Sequence, residues 1–180
     1  MILTGGEIQR QIRLKRIHFD PFDPRDVNPN SVNYHLGPVV KTTSAESLDS
    51  SLGNDWDEQT LPEAGMLFIP DTGYLAGTVE TMGSNFYVPS LIGRSSLGRL
   101  GVFLQVSADL GNLGAIHKWT LEIVVTQPIR LYPGMECGQI SFWEPMGDIH
   151  LYDGLMGRHD DPHQSIPEAM FSSSAAGNGS

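Results

Sequence analysis

No apolar run in this chain travels far before a glycine, proline or asparagine interrupts it. GMLFIP, GYLAGTVE, NFYVPSLIG, VFLQVSA, HKWTLEIVV, IRLY and ECGQISFW succeed one another between residues 65 and 143, with such breakers around them. Proline fixes φ and withholds a backbone donor, and glycine admits the turn conformations other residues avoid. Runs of this length and spacing build short strands joined by turns, as in a sandwich or barrel. With 20 Gly and 12 Pro in 180 residues, the pattern predicts an all-β chain with one or two short helices.

The clearest helix is at the start. TGGEIQRQIRL, residues 4–14, has Thr4 placed as N-cap and Glu7 three residues later, with Ile8, Ile12 and Leu14 on one face. IHFDPFDPRDVNPN follows as a proline-punctuated extended segment, and SVNYHLGPVV is the first substantial strand expected. Residues 41–64 are polar and acidic with little periodicity, which predicts a surface loop or insertion. FSSSAAGNGS, residues 171–180, is expected to be a disordered tail, leaving one domain over 1–170. The opening MILTGGEIQRQIRLKRI is too charged for a signal peptide, and no apolar run reaches membrane-spanning length. A net charge of -10 argues against a broad grip on nucleic acid or an anionic membrane. The single cysteine, Cys137, excludes an internal disulfide and fits a reducing compartment, so a cytoplasmic setting is expected.

Cations are scarce and uneven. Between Ile17 and Gly93 only Arg25 and Lys41 occur, whereas GRSSLGRLG, residues 93–101, places Arg94 and Arg99 around two serines. A helical turn starting there would aim the N–H groups of Ser95, Ser96 and Leu97 outward, an arrangement that suits phosphate. The alternative is an ordinary capped turn whose arginines pair with surface carboxylates. In HKWTLEIVV, strand alternation sets Trp119, Leu121, Ile123 and Val125 on one face and Lys118, Thr120, Glu122 and Val124 on the other. Glu122 is then solvated, paired to an arginine, or held in a pocket for acid–base work. One cysteine cannot complete the His–Cys–Cys ligand set of the zinc deaminases, and Cys137 reads as a buried small residue. HDDPH, residues 159–163, could recruit a divalent ion through His159 and His163, but reads better as a polar turn.

These segments together resemble the dCTP deaminases, of the same superfamily as the trimeric dUTPases. GRSSLGRLG resembles that family's GRSSLARLG, and MILTGGEIQRQI resembles its opening. DPFDPRDVNPNSVNYHLG is similar to its lead into an S-[VI]-D-L-R-L-G strand, and LYPGMECGQISFW to its L-x-P-G-M-x-I-G-Q-L-x-F strand. The similarity runs in order over residues 1–170, apart from 41–64. It implies a distorted β-barrel or jelly-roll of the dUTPase-like type, assembled as a homotrimer with active sites between subunits. It also implies deamination of a cytosine nucleotide without zinc, with Mg2+ carried on the phosphates. Glu122 stands where the family's glutamate activates water. Ser95 and Arg99 match catalytic positions, Arg94 and Ser96 match phosphate contacts, and Ala108 matches the residue whose carbonyl receives the exocyclic amine. Asn112, Tyr152 and Arg158 complete the implied substrate-binding set.

The chain also departs from the pattern. Where the family has R-I-D-P-G-W, this sequence has Leu110, Gly111, Asn112, Leu113, Gly114 and Ala115. An amide at 112 cannot act as a base, which weighs against dUTP-type hydrolysis more than against deamination. The first-motif aspartate is Asn33. The lid lysine and tyrosine are Leu155 and Met156, with Arg158 offering a cation from another position. Three readings follow: deamination of dCTP or a related or modified cytosine nucleotide, dUTP-type pyrophosphohydrolysis, or a noncatalytic nucleotide-binding or regulatory protein on the same fold.

Overall fold

Thr4 opens the first helix as the sequence predicts. Its side chain accepts the Glu7 N–H at 3.4 Å, and α1 runs Gly5–Arg13. Ile8 is fully buried and Ile12 packs against the core, but Leu14 is exposed, because the helix has ended and the chain turns outward at Lys15 with φ 57°. The computed structural model describes residues 1–104 and 107–153. Ten strands follow α1: β1 (Ile17–Asp20), β2 (Val32–Thr42), β3 (Asp57–Thr60), β4 (Met66–Phe68), β5 (Tyr74–Ser84), β6 (Val88–Gly93), β7 (Val102–Leu104), β8 (Ile116–Val125), β9 (Ile129–Leu131) and β10 (Glu136–Trp143). The second helix, α2, is a single turn over Ser95–Gly98.

Eight strands form one antiparallel sheet along the path β6-β10-β2-β5-β8-β7, with β1 pairing β5 and β3 pairing β2; β4 and β9 form a separate ribbon. The ends of the path come together where Gly93 of β6 lies against the Leu104 side chain of β7, so the sheet curls into a nearly closed, distorted barrel. Inward positions fill it: Tyr34 and Leu36 from β2, Leu121 and Ile123 from β8, and Ile140 and Phe142 from β10 are each at most 1% exposed. The proline-rich segment before β2 is extended except for a 3-10 turn at Pro24–Asp26, capped by Asp23.

One correction concerns residues 41–64. They are not wholly loop, because Asp57–Thr60 pairs with Val39–Thr42 as an edge strand. Its four side chains are all exposed, so backbone pairing and the Glu58–Lys41 ion pair hold it, and no apolar alternation announces it. The expected tail lies outside the described residues. Among the described residues no helix is long and apolar enough to cross a membrane.

Packing between β10 and β2 leaves no room at Gly138. A Cβ there would meet the Tyr34 ring and hydroxyl at 2.0–2.1 Å, and Tyr34 is fully buried. Gly138→Ala is expected to lower the unfolding free energy by about 1–3 kcal/mol through overpacking, visible as a reduced urea midpoint with unchanged slope.

Candidate active site

Glu122 reaches the surface because β8 is pleated. Leu121, Ile123 and Val125 point into the barrel, at most 3% exposed, while Glu122 and Val124 point out. A row of side chains crosses this outer face from strand to strand. Glu58 on β3 pairs with Lys41 on β2 at 3.4 Å; Lys41 lies opposite Leu75 on β5, and Leu75 opposite Glu122. Beside Glu122 the outer surface turns apolar: Phe103 lies opposite Val124, and both are exposed together with Leu100. Of the three sequence readings of Glu122, the described residues show the solvated one, since among them no layer covers this face of β8.

The GRSSLGRLG turn sits at the far end of β6. Arg94 is the N-cap of α2, Leu97 is the buried anchor, and Ser95, Ser96 and Arg99 are exposed. The Leu97 N–H donates to the Arg94 carbonyl at 3.1 Å, so it turns inward rather than outward as the sequence suggested. α2 packs beside β7, and the chain is stitched to the end of β8 where Thr126 N–H donates to the Gly101 carbonyl at 2.9 Å. Among the described residues no hydrogen bond or ion pair joins Glu122 to Ser95 or Arg99.

Arg94 is already engaged. Its Nη1 forms an ion pair with Oε2 of Glu136 on β10. The same oxygen accepts from Asn33 Nδ2 at 3.1 Å, and Asn33 Oδ1 accepts from Asn28 Nδ2 at 2.8 Å. Sequence reasoning missed Glu136 because its partners lie far along the chain, meeting only where β10 pairs β2 and β6. This network also gives a physical reason for Asn33. It is buried, and an amide can donate to Glu136 where a carboxylate would repel it.

The remaining expected residues gather on the 107–115 loop. Leu91 N–H donates to the Asp109 carbonyl at 2.7 Å and Gly111 N–H to the Pro89 carbonyl at 2.8 Å, which fastens the loop along β6. Ala108 and Asn112 are exposed on it, and Asn112 closes a turn by accepting the Ala115 N–H at 3.2 Å. Tyr152 joins them through its backbone N–H, which donates to the Leu113 carbonyl at 2.8 Å. Arg158 and the HDDPH segment lie outside the described residues. Cys137 is buried, and burial pushes its thiol well above the usual range, as expected of a packing residue.

The fold is a distorted β-barrel that presents Glu122 on an open outer face and carries an arginine–serine turn after β6. The family model for dCTP deaminase-like domains matches residues 2–145, and the chain belongs to that family. A Clostridium botulinum (strain Eklund 17B) protein named dCTP deaminase, dUMP-forming is 39% identical over 171 residues, covering 95% of this chain and 97% of its own. A Rhodopirellula baltica protein named dCTP deaminase is 41% identical over 148 residues, covering 82% of this chain and 74% of its own. In fold, the chain is similar to the crystal structure of 2'-deoxycytidine 5'-triphosphate deaminase from Agrobacterium tumefaciens, with TM-score 0.63 and 24% identity. That likeness covers 78% of this chain, which spans about half (47%) of the other.

The network around Glu136 yields a direct check. Asn33→Asp would set two carboxylates within hydrogen-bond distance of each other in a buried position. We expect a loss of about 1–3 kcal/mol at pH 7. Like-charge repulsion raises the new carboxyl's folded-state pKa, so the deficit is full above that value and disappears as pH falls toward about 4. Urea titrations of both proteins at the two pH values would show it.

Proposed function

We propose that this protein hydrolytically deaminates dCTP without zinc, and that dUMP is the final product. The observation that carries the reading is Glu122, a carboxylate on β8's outer face between Thr120 and Val124 and beside the exposed Phe103, in a chain of the dCTP deaminase-like family. The names of the relatives supply the substrate and product. Glu122 takes a proton from water as its oxygen bonds to C4 of the cytosine. Addition of the water oxygen opens the C4=N3 double bond with protonation of N3. Glu122 then returns a proton to the exocyclic nitrogen, the C4–N bond to that nitrogen breaks, ammonia leaves, and the C4 hydroxyl gives up its proton to become a carbonyl. Ser95 and Arg99 hold the water and the base, and the Ala108 carbonyl accepts from the exocyclic amine. Arg94, Ser96 and Arg158 bind phosphate oxygens, with Asn112 and Tyr152 against the sugar and base. Mg2+ enters as part of the nucleotide substrate.

A homotrimer completes the site. The exposed Leu100, Phe103 and Val124 beside Glu122 are the surface that neighbouring subunits would cover, and the resulting exclusion of water would give Glu122 the environment a general base requires. The partners are then a small-molecule nucleotide and two further copies of the chain, with neither a nucleic acid polymer nor a membrane, in a cytoplasmic setting.

A specific feature favours a second outcome at the phosphate end. Formation of dUMP requires a further water to cleave the phosphoanhydride with loss of pyrophosphate, and Asn112 has no basic oxygen for that step. If nothing else activates this water, the reaction stops at dUTP.

End-point assays with dCTP and Mg2+, measuring ammonia and pyrophosphate separately, test both steps. Equal amounts of the two establish dUMP formation; ammonia alone establishes the dUTP outcome; neither product leaves a binding protein. Glu122→Gln is expected to cut ammonia release by about 10²–10⁴-fold while nucleotide binding survives. Arg94→Ala should raise KM steeply for dCTP and leave any turnover of deoxycytidine unaffected, whereas Arg99→Ala should lower turnover of both. Sedimentation should give a mass near three times 19.7 kDa; a monomer would remove the shared-interface part of the proposal.

A further inference from the structure

A second group of chemistry-bearing side chains surrounds His35, in the middle of β2. Its imidazole is held from behind by Glu80 of β5, which is 2% exposed. One Glu80 oxygen lies 2.5 Å from His35 Nδ1, and the other accepts the His35 backbone N–H at 3.0 Å. A carboxylate in that position takes the Nδ1 proton and leaves Nε2 as the outward ring atom, with its lone pair available in the neutral tautomer. Metal-binding histidines are oriented in this way by a carboxylate behind the ring.

Nε2 faces Asp26 Oδ1 at 3.9 Å, beyond hydrogen-bond reach. A carboxylate oxygen of Glu136 completes a triangle, with one donor atom from each of Asp26, His35 and Glu136 lying within 4.8 Å of the others. Ligand atoms bonded at about 2.0–2.2 Å to one transition ion sit about 3–3.5 Å apart, so a small side-chain adjustment closes the triangle around an ion. Among the described residues no other group of His, Cys, Asp and Glu donors meets that spacing. The three residues line an open cleft of about 680 Å³, with space for water to complete a coordination shell.

Charge points the same way. The cleft is lined by Asp23, Asp26, Glu80 and Glu136, against one arginine, Arg25. Arg25 is occupied with Asp23, to which it hydrogen-bonds at 2.5 and 2.8 Å, and that contact holds the Asp23 carboxyl down at about 2. Arg94, reaching in from β6, answers one carboxylate, Glu136. Asp26 and Glu80 are left with the imidazole between them. Glu122 is not among the lining residues, while Arg94, assigned above to phosphate, pairs with Glu136 at the edge of this cleft.

We propose that Asp26, His35 and Glu136 bind one divalent first-row transition cation, Zn2+ or Mn2+, with water filling the remaining positions and Glu80 orienting the imidazole. Mixed imidazole and carboxylate ligands suit these ions better than Mg2+ or Ca2+. The alternative is that His35 carries a proton and serves as a counter-ion between Glu80 and Asp26, with no metal.

Calorimetric titration of the tag-free, metal-stripped full chain with Zn2+ and Mn2+ separates the two, with Co2+ as an optical probe of imidazole ligation. One ion per chain is expected. Asp26→Asn should weaken binding by about tenfold or more. His35→Arg keeps a cation against Glu80 but offers no lone pair, and should abolish uptake while circular dichroism stays unchanged. No uptake by the unaltered chain overturns the proposal, as does undiminished uptake by His35→Arg, which would place the ion elsewhere, for example at His159 and His163. If His35→Arg fails to fold, Asp26→Asn decides: unchanged affinity overturns the site, and weakened affinity with an altered Co2+ spectrum supports it.

Discussion

The register of β8 is the constraint on which the rest depends. Alternation sends Leu121, Ile123 and Val125 into the barrel and Glu122 out of it. A slip of one residue would bury the carboxylate and expose three core side chains, a change far too costly to be populated. The pairing that prevents it is extensive: Tyr74–Gly77 and Thr81–Gly83 of β5 on one side, Val102–Leu104 of β7 on the other. Hydrophobic burial thereby fixes the position of a polar group it never touches. The same strand that closes the core presents the proposed base.

Much of this was legible before any coordinates. Thr4 and Glu7 announced α1, breakers around apolar runs announced most strands, and SSLG folded as the single turn its spacing suggested. The two-faced character of β8 follows from LEIVV alone. Three features were hidden, each for a physical reason. Asp57–Thr60 is an edge strand held by backbone bonds, so its side chains carry no pattern. Arg94 and Glu136 are neighbours only because β10 pairs both β2 and β6, a non-local consequence of topology. Likewise His35 meets Glu80 across a strand pair, and nothing near either residue in the sequence signals the other. The exposure of Glu122 was one of the three readings its strand position allowed, and pairing of β8 with β5 and β7 decides among them.

The departures from the family pattern become easier to understand once grouped by contact. Asn33 and Glu136 form one unit: the amide at 33 donates to the carboxylate at 136, which in turn holds Arg94. Leu110 and Asn112 form another, on a loop anchored to β6 by Leu91 and Gly111. On the proposed function, the first unit would alter how an anion is received, and the second what surrounds the sugar. Neither touches Leu121 or Ile123, so the barrel tolerates both without repacking.

An arginine that is already neutralised receives a ligand differently from a bare one. On the proposed function, a phosphate arriving at Arg94 would not add a contact; it would exchange with Glu136, and its affinity would measure the difference between two anions for one guanidinium. Such an exchange is selective against weak anions. Chloride or a lone metabolite carboxylate gains little over the resident partner, whereas the clustered charge of a polyphosphate can draw the guanidinium away. In an acidic protein with few cations, such an internal counter-ion would keep the proposed phosphate site clear until a strongly charged nucleotide arrives.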